Sequence, residues 1–227
     1  MLFEPLIDLV FPPRCGGCHL TGAWLCDICR RRIRRLEEPL CRRCGAELDS
    51  ARNSCSCKGR LRALSRLRSA VAYEGPVEPL VHRFKYQGWR RLAGPLAALL
   101  CDRIVVEGLA AAYVVPVPLH RDRRRERGFN QSELLADELR QRLKLGEPPG
   151  SLVRVRSTLP QVGKDRLHRW ENVRGAFAWR GAPLDGRPLL VVDDVATTGA
   201  TLEACAAALK SAGAGPVTGV TVARVRL

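Results

Sequence analysis

The sequence predicts an α/β protein, a parallel sheet flanked by helices, preceded by a small unit built on cysteines. Three observations predict it. Eight of the ten cysteines lie within the first 57 of 227 residues. From Leu67 onward, apolar runs of strand length alternate with amphipathic segments of helical period. One of those runs, Leu189-Leu-Val-Val-Asp-Asp-Val-Ala-Thr-Thr-Gly-Ala-Thr-Leu202, goes from a wholly apolar strand through a Thr/Gly turn into an Ala-rich helix. A chain of this length holds one α/β domain of roughly 150 residues and an appendage. The expected division is a Cys- and Arg-rich unit over 1–62 and an α/β unit over 63–227.

The eight cysteines come as close pairs: Cys15/Cys18, Cys26/Cys29, Cys41/Cys44 and Cys55/Cys57. A C-x-x-C turn aims two thiolates at one ion, and two such turns complete a tetrahedral zinc site. Met1–Val10 carries Glu4 and Asp8 and no basic residue, then meets Pro12 and Pro13, so no export signal supports a disulfide framework. The expectation is two structural zinc ions with no open coordination position. Sequential sets, Cys15/Cys18/Cys26/Cys29 and Cys41/Cys44/Cys55/Cys57, are favoured by spacing, and a crossed pairing stays open. Cys55-Ser-Cys57 departs from C-x-x-C, and His19 is a bystander or a substitute ligand. With few large apolar residues in this unit, the metal supplies the missing folding free energy.

In the α/β unit, strands are expected at 69–73, 112–117, 152–156, 177–179, 188–192 and 217–222, all feeding a parallel sheet. Helices are expected at 76–86, 91–105, 131–145 and 201–212, and one near Asp27 in the Cys-rich unit. The third shows Leu134, Leu135, Leu139 and Leu143 on one face, with Asn130 or Ser132 as its N-cap. Open parallel sheets bind ligands beyond the carboxyl ends of their strands. There the loop Ala196, Thr197, Thr198, Gly199, Ala200 and Thr201 offers backbone N–H groups, hydroxyls and a helix N-terminus to a phosphate. Asp193 and Asp194 beside it suit vicinal hydroxyls and can help hold a hydrated Mg²⁺. Phosphate at one end and diol at the other describe a ribose 5-phosphate.

That stretch resembles the 5-phosphoribosyl 1-diphosphate (PRPP) motif of type I phosphoribosyltransferases. The resemblance implies that Asp193 and Asp194 bind the ribose hydroxyls and residues 196–201 the 5-phosphate. Val114-Val-Pro-Val-Pro-Leu-His120 looks like the strand and pyrophosphate loop of that fold, with Leu119, His120 and Arg121 in the loop. The segment 166–177 looks like the hood over the substrate, with Arg166, Arg169, Asn172 and Arg174 as its polar contacts. Taken with Phe84-Lys-Tyr-Gln-Gly88, Arg127-Gly-Phe-Asn-Gln131 and Thr158-Leu-Pro-Gln161, the chain resembles the ComF family over its whole length. That family joins a double zinc ribbon to a phosphoribosyltransferase-like domain and is linked to competence and use of external DNA. The implied partners are PRPP with Mg²⁺, single-stranded DNA and uptake proteins. No glutaminase half is expected, because no cysteine follows Met1. Purine-salvage relatives place an Asp general base where this chain has Thr197, which disfavours hypoxanthine-type chemistry. His82, His120 and His168 are the other acid–base candidates; catalytic candidates are Asp193, Asp194 and His120. A phosphoribosyltransferase with an unidentified base or amine acceptor, and a zinc-ribbon adaptor with a vestigial PRPP site, are the competing readings.

Composition bounds the partners. Lys and Arg total 38 against 23 acids, a net +15, and Arg outnumbers Lys 33 to 5. Codon bias explains the choice of Arg, while the net charge favours an anionic ligand. Arg31, Arg34, Arg35, Arg42 and Arg43, near Trp24 as a stacking surface, are the nucleic-acid candidates. Hydrophobic residues at 46% exclude wholesale disorder. The apolar runs near Leu96 and Leu109 are too short for a membrane span, so a cytoplasmic protein without membrane insertion is expected.

Overall fold

A computed structural model describes residues 12–48, 55, 57, 59–156 and 166–226, with backbone alone at 166–169. Four strands, β1 (Arg66–Ala72), β2 (Tyr113–Pro116), β5 (Leu189–Ala196) and β6 (Val217–Arg224), form an all-parallel sheet in the order β1-β6-β5-β2. The remaining two, β3 (Gly150–Arg154) and β4 (Phe177–Gly181), pair antiparallel in a separate ribbon. This corrects the expectation that all six feed one parallel sheet. A parallel strand must be buried on both faces. In β3 only Leu152 is buried and in β4 only Phe177, whereas β6 is buried throughout. β5 also runs four residues past the expected end, through the acidic pair, because β6 stays paired with it to Ala196 opposite Arg224.

Seven helices are described: α1 (Asp27–Arg32), α2 (Val77–Tyr86), α3 (Ala93–Val106), α4 (Arg121–Arg127), α5 (Gln131–Leu143), α6 (Arg166–Val173) and α7 (Ala200–Ser211). α4 carries no apolar period and buries nothing, so sequence patterning misses it. It is instead bounded by caps, the His120 imidazole accepting the Asp122 N–H and Gly128 closing it at φ 72°. α6, expected only as a loop, places Val173 and Trp170 against the core that holds α7. On α5, Asn130 is the N-cap, accepting the Ser132 N–H at 3.0 Å.

Alternation along β5 splits the core. Leu190 and Val192 face α2, α3 and α5; Leu189 and Val191 face α7 and the β3–β4 ribbon. The cysteine-rich unit divides between the same two cores. Cys15, Leu25 and Cys29 pack with Leu80 and Leu92, and Cys41 and Cys44 pack with Leu61, Leu64 and Leu67. Polar ties reinforce this. Arg34 is ion-paired to Glu47 and Glu74, and the Arg224 guanidinium donates to the Cys44 carbonyl at 2.8 Å.

Glu203 of α7 holds the connection. Its carboxylate accepts the backbone N–H groups of Arg62 and Ala63 at 2.7 Å and of Leu64 at 3.0 Å. These donors have no strand or helix partner, so removing the carboxylate leaves the N–H of buried Leu64 unpaired and frees those of Ala63 and Arg62. Glu203→Ala is expected to destabilise the protein by about 2–3 kcal/mol in urea melts, given the usual value of charged hydrogen bonds. Glu203→Gln keeps an acceptor and is expected to lose less.

Candidate functional site

The carboxyl end of β5 brings two acids to one place. Asp194 is buried at 3% exposure and Asp193 is half-buried. Two carboxylates side by side in a low-dielectric setting need counter-charge or donors. Lys85 of α2 supplies the charge, its Nζ lying 2.8 Å from Asp194 Oδ1. Asp193 Oδ1 accepts from Ser132 Oγ and from the Asp194 N–H, each at 2.9 Å. Burial and the neighbouring Asp194 still push the Asp193 carboxyl up to about 7. Burial disfavours the Lys85 ammonium, yet Asp194 more than offsets this and its pKa lies above the ordinary value. Asp194 Oδ2 is buried with no hydrogen-bond partner among the described residues.

Two short motifs build this arrangement. In residues 84–88, Phe84 is fully buried and packs on Phe129 at 6.2 Å between ring centroids. That fixes α2 so that the next residue, Lys85, reaches β5. In residues 127–132, Arg127 lies 4.7 Å over the Tyr86 ring and donates to Gln131 at 3.0 Å. Asn130 caps α5 and donates from Nδ2 to the Val117 carbonyl at 3.0 Å, tying α5 to the loop after β2. Ser132, the second residue of α5, is thereby aimed at Asp193. Sequence reasoning assigned neither Lys85 nor Ser132 to the site. Position 85 follows buried Val81 by one helical turn in a chain with five lysines, which was the available signal.

The loop after β5 keeps its expected features. Gly199 caps α7 at φ 81°, and a Cβ there would stand 3.1 Å from Leu67 Cδ2. Thr198 Oγ1 accepts the Ala200 N–H at 3.4 Å, and Thr197, Thr198 and Thr201 are half-buried at the surface of the site. Leu119 and His120 are half-buried after β2, and Arg121 is exposed. His120 is 3.0 Å from the Asp122 carboxylate, so its ring is engaged in capping α4. Of the hood residues, Asn172 and Arg174 are not brought to the acids. Among the described residues, no hydrogen bond or ion pair joins Asn172 or Arg174 to Asp193, Asp194 or residues 196–201. The Asn172 and Arg174 carbonyls instead accept from Arg156 at 3.3 and 2.7 Å. The side chains of Arg166, His168 and Arg169, and the motif at 158–161, lie outside the described residues.

The cysteines gather in the sequential sets. Cys15, Cys18, Cys26 and Cys29 form one cluster and Cys41, Cys44, Cys55 and Cys57 another, all sulfurs of a cluster lying within 4.8 Å of one another. Closest pairs are 3.6 Å for Cys18/Cys26, 3.6 Å for Cys41/Cys57 and 3.3 Å for Cys44/Cys55. A tetrahedral ion with bonds of about 2.3 Å sets sulfurs about 3.8 Å apart, so both sets fit zinc. Burial works to raise the Cys15 and Cys41 thiols, but backbone N–H donors outweigh it and lower them to about 6 and about 7. His19 is not in the cluster; it contacts Arg83 and the edge of Trp89. The arginine patch is narrower than expected. Arg34 and Arg35 are ion-paired, the latter to Asp102 at 3.1 Å. Arg43 donates to the Leu61 carbonyl, and Trp24 packs edge-on to Trp89 against the core. Arg31 and Arg42 remain exposed without a recorded partner among the described residues.

A family model described as the double zinc ribbon domain matches residues 6–58. The chain is 32% identical over 219 residues to the DNA utilization protein YhgH of Escherichia coli strain K12, covering 92% of this chain and 96% of that one. It is 30% identical over 207 residues to Competence protein F of Haemophilus influenzae, covering 87% and 89%. The chain belongs to the ComF family. A more distant member, Competence protein ComFC of Bacillus subtilis, is 26% identical over 83% of this chain and 79% of its own. Among solved structures, an adenine phosphoribosyltransferase from Thermoanaerobacter pseudethanolicus aligns at TM-score 0.36 and 17% identity, covering 63% of this chain and 72% of that one. No helix among the described residues is long and apolar enough to cross a membrane.

Two outcomes follow for this ComF chain. Elemental analysis is expected to give two zinc ions per chain, and Cys44→Ser to leave one. The second concerns Asp193, whose carboxyl binds its proton more tightly folded than unfolded. Stability is therefore lost as pH rises from about 4 toward about 7, where the folded group ionises. Asp193→Asn removes this term, so urea melts from pH 5 to 8 are expected to show the variant gaining on wild type as pH rises.

Proposed function

We propose that the protein binds PRPP, or a related ribose 5-phosphate, with Mg²⁺, and acts in DNA utilisation or uptake as a cytoplasmic protein that contacts single-stranded DNA. In this reading residues 1–62 form the double zinc ribbon and 63–227 the ligand-binding domain. The observation that carries it is the juxtaposition of Asp193 and Asp194 with the 196–201 loop at the carboxyl end of β5. A buried acid pair with an unpartnered oxygen suits vicinal hydroxyls, which donate, and the loop with its left-handed glycine suits a phosphate. The carboxylates, hard oxygen donors, also fit a hydrated Mg²⁺, which would supply charge neutralisation for the phosphates. Leu119, His120 and Arg121 would face the pyrophosphate, and Arg166, Arg169, Asn172 and Arg174 would close from the hood. The printed names of the relatives, DNA utilization protein and competence protein, support the DNA role.

For the nucleic acid, the geometry favours the second cysteine cluster. Arg42, Arg43 and Arg62 line a cleft of about 1250 Å³ there, with Leu40, Leu48 and Val106 as apolar walls and Arg68 neutralised by Glu107. Cations for phosphates beside apolar surface for bases suit a single strand of any sequence.

Isothermal titration with PRPP and Mg²⁺ is expected to show binding to wild type and none to Asp193→Ala/Asp194→Ala; absence of binding to wild type would falsify the ligand assignment. For DNA, replacing Arg31 and Arg42 together by Ala should flatten the log K against log salt slope for a single-stranded oligonucleotide by about 1.4, at roughly 0.7 per phosphate contact. An unchanged slope removes both residues from the interface.

A further inference from the structure

Lys85 has a part beyond balancing charge. Its helix belongs to the core face opposite the phosphate loop's own helix. One of its three N–H donors is spent on Asp194 Oδ1 at 2.8 Å. A fifth of the Lys85 side chain remains exposed, whereas Asp194 shows 4%. Asp194, meanwhile, has a second oxygen with nothing to accept from among the described residues. Leaving a buried carboxylate oxygen unpaired costs about 1–3 kcal/mol, so a pair that existed only for stability would be expected to close on itself. This one is open on both sides, with spare donors on the lysine and a spare acceptor on the acid. Tyr73, at the end of β1, sits in the field of both charges, and burial pushes its phenol above the ordinary range.

We propose that Lys85 is a ligand-binding residue, a cation that pairs with Asp194 in the free protein and contacts a phosphate group of the bound ribose when a ribose hydroxyl engages Asp194. The assignment rests on the PRPP reading above and deepens it, because it adds a residue that the strand–loop motif does not contain. Exchange of partners leaves neither group without a hydrogen-bonding partner. The ligand brings hydroxyl donors to the acid and an anion to the ammonium, so neither buried charge is left alone. It also gives a reason for lysine over arginine in an Arg-rich chain. A compact ammonium on a flexible stem can swing between two partners, whereas a planar fork is committed to one geometry.

The test is a mutant pair read by calorimetry with PRPP and with ribose 5-phosphate, each with Mg²⁺. Lys85→Met alone strands Asp194 and is a poor probe, so Asp194→Asn is compared with Lys85→Met/Asp194→Asn. Zinc content and urea midpoint report on folding of both. If Lys85 contacts phosphate, the double variant binds PRPP tenfold or more weakly than Asp194→Asn. Equal weakening of ribose 5-phosphate places the ammonium on the 5-phosphate, and weakening of PRPP alone places it on the pyrophosphate. Equal affinities of the two variants for PRPP would show that Lys85 only balances Asp194 and overturn the proposal. Failure of wild type to bind PRPP overturns the underlying reading of the site, a result distinct from the comparison between variants.

Discussion

Two carboxylates on consecutive residues at the end of a buried strand are an electrostatic problem, and much of this chain is arranged around it. Extended backbone sends the two side chains in different directions, so no single neighbour can satisfy both. Lys85 answers one and Ser132 the other. Each comes from a helix whose position is fixed elsewhere: α2 by Phe84 in the core, α5 by Asn130 on the Val117 carbonyl. Phe84 and Phe129 pack on each other, which locks the two helices into one support. Motifs that look unrelated in the sequence are the separate halves of one counter-charge system.

The cysteine clusters enter the same logic through packing. A segment this short cannot bury a core of its own, and the structure shows it borrowing two. Cys15 and Cys29 are buried with Leu80 and Leu92, and Cys41 and Cys44 with Leu61 and Leu67. Gly16 marks how tight the first contact is, since a Cβ there would come 2.8 Å from Leu80. Arginines are spent on this docking, among them Arg34, which reads from the sequence as part of a nucleic-acid surface. Arg34 spans Glu47 and Glu74, Arg68 spans Glu107 and the Arg42 carbonyl, and Arg224 reaches Cys44.

What the sequence made legible follows from the range of the physics involved. The central strands, the long helices and both cysteine sets could be read, because apolar period and ligand spacing are local signals. The acid pair and its loop were readable for the same reason. α4 escaped because it has no apolar face and exists by its caps, and α6 because its segment, although Leu167, Trp170 and Val173 recur at helical spacing, was read as a polar loop. The β3–β4 ribbon was read as part of the sheet because short apolar runs do not say whether one face or two will be covered. Lys85 and Ser132 escaped because each acts across more than 60 residues of chain. The free arginines could not be told from the paired ones without knowing where Glu74, Asp102 and Glu107 would fall.

Helix α2 touches the first cysteine cluster along one side and the acid pair from its last turn. Arg83 donates to the Gly16 carbonyl, and Trp89, just beyond the helix, lies edge-on to both His19 and Trp24. Its ten residues span about 15 Å, too short to bend in between. The cluster and the acids are thus held by the last turns of one rigid helix. In thermodynamic language they belong to a single cooperative unit: a chain that loses the ion from its first ribbon does not keep an intact sheet with a loose tail. It loosens the mount of its own counter-charge, and the strand end that carries the acid pair is the first place to register it.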